Sequence, residues 1–402
     1  MAWNAIVVGA GIVGLSAARR LVTCGVGNVL VIEQKFPASA ASGLGTGSVH
    51  CQRWRALDVE LVMRSKEILA DLERPTNGLT RLKPTGRLTL VGPDDTAHLV
   101  AYAEMIEQHG IEMLLLDPAE LSQRFPYLHL EDVGLGSLTP ADGVVSPPSI
   151  ASALAGLIRL GGGTIWEGVT ATRVVVNDGQ VVGVELEDGE TISSDRVVVA
   201  TGPWTQKFLE GSGITLPNKR VVTQNTVIRL KDGHPSWSMP NILDVPGNQT
   251  TFIPRNPGNI CVGGWAGPQA EGDDAVGFEG GARSDGFYDK KMLEIANHRF
   301  SFGTIGGIVG GWKGVVDVTP DRLPLIGQAD DAQGLFVACG LGGYGIQRGP
   351  AVGEVVADLA RGAPPRVGVD SCSPQRFTDT RGDDEFNVHT DTDNAFTVRV
   401  GA

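Results

Sequence analysis

Three glycines near the N-terminus, Gly9, Gly11 and Gly14, have the spacing G-x-G-x-x-G, and Glu33 follows the first of them by 24 residues. Gly9 permits a tight turn, Gly11 lets the backbone approach a pyrophosphate, and Gly14 lets a helix pack on a strand. A helix N-terminus at this turn offers free N–H groups to phosphates, and the Glu33 carboxylate accepts hydrogen bonds from ribose hydroxyls. The motif predicts a dinucleotide site, with a plain glycine-rich turn as the alternative. The predicted site also includes the neighbouring residues Ile12, Val13 and Gln34.

Residues 39–48, with the sequence SAASGLGTGS, are small, and several of them carry hydroxyl groups. Such a segment lets backbone and hydroxyls lie against a large planar ligand and its phosphates. Ser42, Thr46 and Gly47 are therefore candidate contacts to a flavin nucleotide. The alternative for this segment, taken without the neighbouring glycine motif, is a flexible surface loop.

The glycine motif needs a strand before it and a helix after it, and the hydrophobic pattern predicts both. Residues 5–9 and 29–33 are apolar runs typical of buried parallel strands, and helix formers fill residues 12–24 between them. Similar apolar runs recur at 196–200 and 335–339. Between these runs lie alternating segments typical of half-buried strands, at 86–91, 164–166, 171–176, 181–186 and 221–230. Further helices are predicted at 57–74, 95–109, 117–125, 149–160 and 350–361.

The order of these segments along the chain predicts the fold class. Because alternating strands lie between the nucleotide-type strands, two domains must be interleaved and not sequential. We predict an α/β fold in which a Rossmann-like nucleotide domain is interleaved with an α+β domain that contains a mixed, largely antiparallel sheet. The polar and acidic residues 366–402 are predicted to form a loosely packed tail.

Composition excludes several classes of function for this chain of 402 residues. With 33 Lys and Arg against 46 Asp and Glu, the net charge of −13 provides no electrostatic footprint for nucleic acid or anionic membranes. The five cysteines include no C-x-x-C pair, and no apolar stretch reaches about eighteen residues, so we expect a cytoplasmic protein. No metal is expected, because the histidines and acids lack ligand spacing.

Five motifs occur in an order that is more specific than any one of them. They are the glycine motif with Glu33, the 39–48 segment, V-A-T-G-P-W at 199–204, W-x-G-x-x-D-x-T-P-D at 312–321, and G-x-G-G-Y-G-I-Q at 340–347. Together they resemble the D-amino-acid oxidase superfamily of FAD enzymes, which includes glycine oxidase, sarcosine oxidases and dehydrogenases, and D-amino-acid dehydrogenases. The resemblance covers residues 5 to about 377.

This resemblance implies an FAD-binding domain and a substrate domain with defined bounds. The FAD-binding domain would comprise residues 1–75, 150–212 and 313–365, and the substrate domain residues 76–149 and 213–312. Val174 would meet the adenine through its backbone. The other implied cofactor contacts lie in two later motifs: Thr201, Gly202, Trp204, Gly340, Gly342, Gly343, Tyr344, Gly345, Ile346 and Gln347.

The resemblance also bears on how FAD is attached. Some relatives attach FAD to a cysteine five residues before the Thr-Pro pair, and this chain has Gly314 there. We therefore predict non-covalent FAD.

Oxidation of a carbon–nitrogen bond requires a neutral amine, an α-hydrogen aimed at the flavin, and a cation for any substrate carboxylate. His50, just past the 39–48 segment, is a candidate to accept a proton or fix the amine, with a packed or capping histidine as the alternative. Tyr344 and Gln347 are the other catalytic candidates. The candidate substrate contacts are Gln52, Arg255, Trp265 and Lys313, each of which alone also fits a surface or packing role.

These residues and the resemblance predict FAD-dependent oxidation of an amine or amino acid, by hydride transfer to flavin and hydrolysis of the imine. The electron acceptor would be oxygen, a quinone or an electron-transfer protein. Two alternatives stay open: a 2-hydroxyacid or glycerophosphate-type FAD dehydrogenase, and a non-catalytic flavoprotein subunit of an electron-transfer complex. The sequence also leaves open whether the chain forms a homo-oligomer.

Overall fold

The computed structural model describes residues 2–231, 239–255, 258–264, 281–300, 305–330 and 332–377. Within these residues the α-helices are α1 (Ile12–Thr23), α2 (Ala56–Glu73), α3 (Thr96–Gln108), α4 (Pro118–Arg124), α5 (Pro147–Leu160), α6 (Thr205–Glu210), α7 (Gly286–Arg299) and α8 (Gly345–Ala360). The strands are β1 (Ala5–Val8), β2 (Val29–Glu33), β3 (Ser48–Val49), β4 (Arg87–Val91), β5 (Leu114–Leu116), β6 (Leu135–Thr139), β7 (Gly143–Val144), β8 (Thr164–Glu167), β9 (Ala171–Asn177), β10 (Gln180–Leu186), β11 (Thr191–Ser193), β12 (Val197–Val199), β13 (Lys219–Leu230), β14 (Asn241–Asp244), β15 (Thr250–Pro254), β16 (Asn259–Gly263), β17 (Ile305–Val318), β18 (Leu325–Gln328) and β19 (Leu335–Cys339).

A six-stranded sheet in the order β18-β19-β12-β1-β2-β8 carries the glycine motif. Its strands are parallel except β18, which runs antiparallel to β19. The four apolar runs predicted as buried strands are β1, β2, β12 and β19, so that prediction is confirmed. Successive residues of β1 enter different cores, with Val7 packed toward the helices and Ile6 toward the opposite layer. Burial on both faces explains why these strands are apolar throughout.

Two layers cover the faces of this sheet. Helices α1, α2, α5 and α8 share a hydrophobic core with one face. A three-stranded antiparallel sheet, in the order β11-β10-β9, packs on the other face. The predicted nucleotide site is therefore built on a sheet that is packed on both faces.

A second large sheet has eight strands in the order β17-β13-β16-β15-β14-β4-β6-β5. Its pairings are antiparallel except β14 with β4, as expected for a mixed, largely antiparallel sheet. In β4, Leu88 and Leu90 pack into a core that also includes Met292 of α7. The alternation of a strand places Arg87 and Thr89 on the opposite face. Strands of the two large sheets interleave along the chain; the exact domain bounds given above stay a prediction.

Two sequence-based expectations need correction. The last helix begins at Gly345, five residues earlier than predicted, so Gly345, Ile346 and Gln347 form its first turn. The expectation of a loosely packed tail is wrong for residues 366–377, because Val367, Val369 and Cys372 enter the core beneath the six-stranded sheet. Residues 378–402 lie outside the described residues. No helix in the described ranges is long and apolar enough to span a bilayer.

Candidate functional site

A cavity of about 470 Å³ lies beside the ends of β1, β2 and β12. This is the edge at which doubly wound sheets bind ligands, because the loops that follow parallel strands meet there. Its lining comes from the glycine turn, the 38–42 segment and the chain after β12: Gly9, Gly11, Ile12, Val13, Glu33, Gln34, Ser42, Thr201, Gly202 and Trp204 belong to it. All ten are predicted cofactor contacts.

The structure gives a different reason for glycine at each of the three motif positions. Gly9 has φ +98°, and a Cβ there would lie 2.6 Å from the Ala200 carbonyl oxygen. A Cβ on Gly14 would lie 1.9 Å from the Gly9 oxygen, so a side chain is excluded where α1 meets the turn. Gly11 lines the cavity, and a Cβ there would approach only the Ser42 hydroxyl, at 3.3 Å. The turn is thus shaped to leave a backbone surface open to a ligand, which fits a diphosphate.

Glu33 and Ser42 brace this turn. The Ala10 amide donates to Glu33 Oε2 at 2.8 Å, and the Lys35 amide donates to Oε1 at 3.0 Å. The Ile12 amide donates to Ser42 Oγ at 3.0 Å, so one N–H of the α1 N-terminus is already bound. A serine hydroxyl that accepts a hydrogen bond keeps its own hydrogen for another acceptor, such as a phosphate.

The structure does not place Val174 in the cavity lining. Its side chain is buried between the sheets, and its amide donates to Ser212 Oγ at 2.9 Å. Residues 169–172, just before it and at the start of β9, line the cavity instead. In a dinucleotide bound in this cavity, residues 169–172 and not Val174 would be the candidates to contact the base.

The N-terminus of α8 lies between this cavity and a second one. Gly345 lines the first cavity, while Gly343, Tyr344, Ile346 and Gln347 line the second. The first N–H groups of a helix lack intrahelical partners and carry the positive end of its dipole. They are therefore suited to an electron-rich edge of a planar ligand that extends from one cavity toward the other.

Asp317 holds the turn that precedes α8, and sequence reasoning gave it no role. Its carboxylate accepts a hydrogen bond from the Gly340 amide, and its carbonyl oxygen accepts one from the Gly342 amide at 2.8 Å. Gly340 and Gly342 have φ values of +74° and +57°, and neither belongs to the lining of the first or the second cavity. They shape the turn, while Gly343 and Tyr344 reach the second cavity. The position of Asp317 within the 312–321 motif was the available signal.

The second cavity, of about 160 Å³, lies between the 45–54 segment, the eight-stranded sheet and the start of α8. The predicted residues Thr46, Gly47, His50, Gln52, Tyr344 and Gln347 line it. Strands β4, β14 and β15 line another side of this cavity with both polar and apolar residues: Arg87, Thr89, Leu243, Thr251 and Ile253. The structure therefore brings together all three predicted catalytic residues.

His50 is a buried, neutral histidine in this cavity. Its Nδ1 lies 3.1 Å from the Gln52 carbonyl oxygen, and since a carbonyl only accepts, Nδ1 carries the hydrogen and Nε2 keeps a lone pair. Burial, aided by repulsion from Arg87 and Arg53, lowers the pKa of His50 well below 6.5. The His50 amide donates to Gln347 Oε1 at 3.1 Å, which ties this segment to α8.

Gln52 lines the cavity, but its amide group is used within the protein. Its Nε2 donates to the Arg87 carbonyl oxygen at 2.9 Å, and its Oε1 accepts from Thr89 Oγ1 at 2.6 Å. A third bond joins Nε2 to Thr139 Oγ1 at 3.2 Å. Gln52 therefore attaches the 48–53 segment to the eight-stranded sheet and is not available as a substrate contact.

The cations predicted to hold a substrate anion do not line the second cavity. Arg255 Nη1 donates to the Thr46 carbonyl oxygen at 3.3 Å, and Lys313 Nζ forms an ion pair with Asp285 Oδ1 at 2.7 Å. Trp265 lies outside the described residues. Two arginines that sequence reasoning missed, Arg53 and Arg87, line the cavity in their place. The polar positions of β4 within an alternating strand were the only sequence signal for Arg87.

No group of three or more His, Cys, Asp or Glu residues in the described ranges is arranged to hold a metal ion.

Comparison with known proteins agrees with the geometry of the first cavity in indicating a nucleotide cofactor. A family model described as "FAD dependent oxidoreductase" (DAO) matches residues 4–359. The chain is 26% identical to the mitochondrial sarcosine dehydrogenase of Mus musculus over 372 residues, which cover 88% of this chain and 39% of that protein. It is 25% identical to the glycine oxidase of Pseudomonas putida over 376 residues, which cover 91% of this chain and 97% of that enzyme.

A solved structure, that of L-proline dehydrogenase from P. horikoshii, superposes with a TM-score of 0.83 at 22% identity, covering 94% of this chain and 98% of that one. At this identity the likeness shows a shared fold. The chain spans about two fifths of the length of the sarcosine dehydrogenase that it matches.

Proposed function

This chain belongs to the DAO family of FAD-dependent oxidoreductases, and from that premise we propose that it oxidises the carbon–nitrogen bond of a small amine or amino acid. The observation that carries the proposal is a neutral His50 with a lone pair on Nε2, in a cavity beside the start of α8. Similarity to a sarcosine dehydrogenase and a glycine oxidase supports the substrate class.

The residues of the first cavity fit FAD. Backbone amides of the glycine turn and the Ser42 hydroxyl would hold the diphosphate, Glu33 the ribose, and residues 169–172 the adenine. Gly343, Tyr344 and the first turn of α8 would border the flavin ring. When bound, FAD supplies an acceptor for a hydride from the substrate carbon.

The chain's own residues would bind and orient the amine. His50 Nε2 would accept a hydrogen bond from a substrate N–H and so orient the amine, which this oxidation requires in its neutral form. Gln347 fixes the backbone of His50, and Gln52 fixes the segment on the sheet. All three side chains are buried, so a substrate that fills the cavity would shield them from bulk water.

We also propose that FAD is bound non-covalently. Gly314 in β17 stands where some relatives carry the cysteine that bonds the flavin, and it has no side chain to do so. Acid precipitation of the yellow protein should leave all flavin in the supernatant. Flavin that stays with the polypeptide would contradict this proposal.

Anaerobic flavin bleaching tests the reaction class. The FAD-loaded protein is mixed without oxygen with a panel of amines, amino acids and 2-hydroxyacids, and absorbance of the oxidised flavin is followed. Loss of colour with amines or amino acids is the expected result, and re-admission of air then separates an oxidase from a dehydrogenase. Bleaching by 2-hydroxyacids alone, or a folded protein that takes up no FAD, would overturn the proposal.

A matched pair of variants tests His50. His50→Gln should slow bleaching by about 10²–10⁴-fold if the ring handles a proton. His98→Gln, on the exposed face of α3, is the control and should leave the rate unchanged. Equal rates for wild type and His50→Gln would remove His50 from the mechanism.

A further inference from the structure

The Tyr102 hydroxyl is a buried polar group that has no hydrogen-bond partner among the residues that the structure describes. Tyr102 lies in α3, is 6% exposed and belongs to the lining of the second cavity. Burial raises the pKa of Tyr102 well above 10, so the hydroxyl keeps its hydrogen at neutral pH and can donate it. A buried donor left unpaired is destabilising, and a ligand that accepts its hydrogen would remove that penalty.

The place of Tyr102 along the cavity follows from β4 and β14. Alternation puts Thr89 and Val91 on the same face of β4, and the parallel pairing puts Leu243 beside Thr89. Thr89 and Leu243 line the cavity. Val91 lies further along β4 and packs in the same apolar core as Tyr102. Tyr102 therefore closes the cavity at the Val91 end of this face.

The opposite end of the cavity faces the predicted cofactor. Asn241, the partner of Arg87 at the start of β4, donates from Nδ2 to Ser48 Oγ. Residues 45–48, from the segment predicted to lie against the flavin, belong to the lining. A strand advances about 13 Å over the four residues from Arg87 to Val91. A substrate whose reacting carbon lies at the flavin would therefore extend the rest of its skeleton toward the Val91 end.

The ring of Tyr102 is fixed by its packing. Its centroid lies 3.9 Å from that of Trp54, which also lines the cavity, and Val91 and Val245 belong to the same core. None of the other described side chains of this core carries an oxygen atom. The core therefore offers the hydroxyl no side-chain oxygen as an acceptor, and the cavity is where one can be supplied.

A strained polar residue lines the same cavity. Gln249 has φ +54°, and its amide donates to the Val245 carbonyl oxygen at 3.2 Å, next to the core that contains Tyr102. The turn is held by Asp244 Oδ1, which accepts from the Gly247 amide at 3.0 Å. Non-glycine residues with such backbone angles cluster at binding sites, where the surrounding structure maintains them. Gln249 is thus a second indication that this part of the cavity receives a ligand.

We infer that the Tyr102 hydroxyl donates a hydrogen bond to an oxygen atom on the substrate's substituent, meaning the group on the reacting carbon other than the amine and any α-carboxylate. The enzyme would then select amines whose substituent carries a hydroxyl, carbonyl or carboxylate oxygen over amines with an apolar substituent. This inference rests on the proposed function and adds a specificity-determining residue to the same site. Such selection is strong because an analogue without the oxygen leaves the buried donor unpaired.

Matched substrate pairs test the inference on the FAD-loaded enzyme by anaerobic bleaching. Serine is compared with alanine, asparagine and aspartate with leucine of similar shape, and ethanolamine with ethylamine; both enantiomers of each chiral compound are used. Wild type should prefer the member that carries the oxygen by about 10-fold or more in kcat/KM. Asparagine against aspartate shows whether the oxygen is neutral or charged, and the ethanolamine pair removes the α-carboxylate from the comparison.

The variant Tyr102→Phe removes a single oxygen atom. It should slow the oxygen-bearing member of each pair and bring the preference to within about 2-fold. Tyr288→Phe is the matched control, because Tyr288 does not belong to the lining of the second cavity and its hydroxyl donates to the Gln224 carbonyl oxygen at 2.7 Å. This control should keep the wild-type preference.

Melting temperature tests the unpaired hydroxyl without any turnover. Tyr288→Phe should lower it by about 1–3 °C, because a buried hydrogen bond is lost. Tyr102→Phe should leave it unchanged or raise it, because no hydrogen bond to the protein is lost. A fall in Tyr102→Phe as large as that in Tyr288→Phe would show that the hydroxyl has a partner in the protein and would overturn the inference.

The kinetic results separate this inference from the proposed function. No bleaching by any amine or amino acid would overturn the proposed function itself. Bleaching confined to amines whose substituent has no oxygen would leave the function standing and overturn the role of Tyr102. So would an equal loss toward both members of a pair in Tyr102→Phe, which would show a structural effect or contact with the α-carboxylate, and so would a preference that the substitution leaves intact.

Discussion

The Arg53 guanidinium carbon lies 3.6 Å from the centroid of the Tyr344 ring. Arg348 approaches the same ring, with its guanidinium carbon 5.4 Å from the centroid, and is itself paired with Asp58. Tyr344 is the residue before the first turn of α8. The start of this helix is therefore held by an aromatic ring within reach of two cations, at the border of the two cavities.

Replacement of Tyr344 tests this cation–π contact. Tyr344→Leu should lower the free energy of unfolding by about 1–2 kcal/mol, the usual value for a desolvated contact of this kind. Tyr344→Phe keeps the ring face and should lose less. Urea unfolding measures both, and equal losses for Leu and Phe would show that the ring face contributes nothing.

Two glycine substitutions should separate packing from ligand contact. In Gly14→Ala the new Cβ meets the Gly9 carbonyl oxygen at 1.9 Å, so the turn must move, at a cost of at least about 1–3 kcal/mol. In Gly11→Ala the methyl meets only the Ser42 hydroxyl, so the fold should survive with weaker FAD binding. Melting temperature and flavin content after gel filtration distinguish them. A Gly14→Ala protein with wild-type values of both would refute the packing argument.

Glu33 should contribute to the affinity for FAD in two ways, by fixing the geometry of the glycine turn and by direct contact. In Glu33→Gln one amide N–H₂ must face the Ala10 or the Lys35 amide, so a donor meets a donor. We expect FAD affinity to fall about 10- to 100-fold, from a loss of about 1–3 kcal/mol. Flavin fluorescence titration measures it, with the exposed Glu187→Gln as the control. Unchanged affinity would exclude a role for the carboxylate.

Stability should depend on pH through His50. Its pKa is lowered in the folded protein, so between that value and the unfolded value of about 6.5 the unfolded chain binds more protons. Stability should therefore fall as the pH falls below about 6.5, by up to about 1.4 kcal/mol per pH unit, and show no contribution from His50 above it. The difference between wild type and His50→Gln, measured by urea unfolding from pH 5 to 8, isolates this effect. A difference that stays constant over the whole range would contradict it.

The nucleotide half of the site was predictable because its residues act locally. Gly9, Gly11, Glu33 and Ser42 lie near each other along the chain, and glycine spacing specifies backbone geometry directly. The start of α8 was placed too late because Gly345, Gly349 and Pro350 are poor helix formers. Tertiary packing overrides that propensity: a Cβ on Gly349 would lie 2.6 Å from Ile12 Cγ2, so this glycine lets α8 approach α1.

The substrate half was not predictable in the same way. Arg87 and Asn241 meet only because β4 and β14 are neighbours in register, which alternation within either strand does not reveal. Charge and nearness to motifs make Arg255 and Lys313 candidates in the sequence, but in the structure Arg255 donates to the Thr46 carbonyl oxygen and Lys313 pairs with Asp285. A cation's role depends on which acids fold against it, and that is a property of the tertiary structure.

The central strand β12 pairs with β1 on one side and with β19 on the other, so the first and last thirds of the chain meet across it. During synthesis on the ribosome, β1 can pair with β12 only after residues 197–199 have been made. β12 can pair with β19 only after residues 335–339 have been made. Such long-range pairing is slow and leaves unpaired hydrophobic strand edges exposed to aggregation in the meantime. We therefore expect folding of the apoprotein to depend on chaperones. The yield of folded protein should rise when flavin is plentiful in the cell, because FAD binds the folded state.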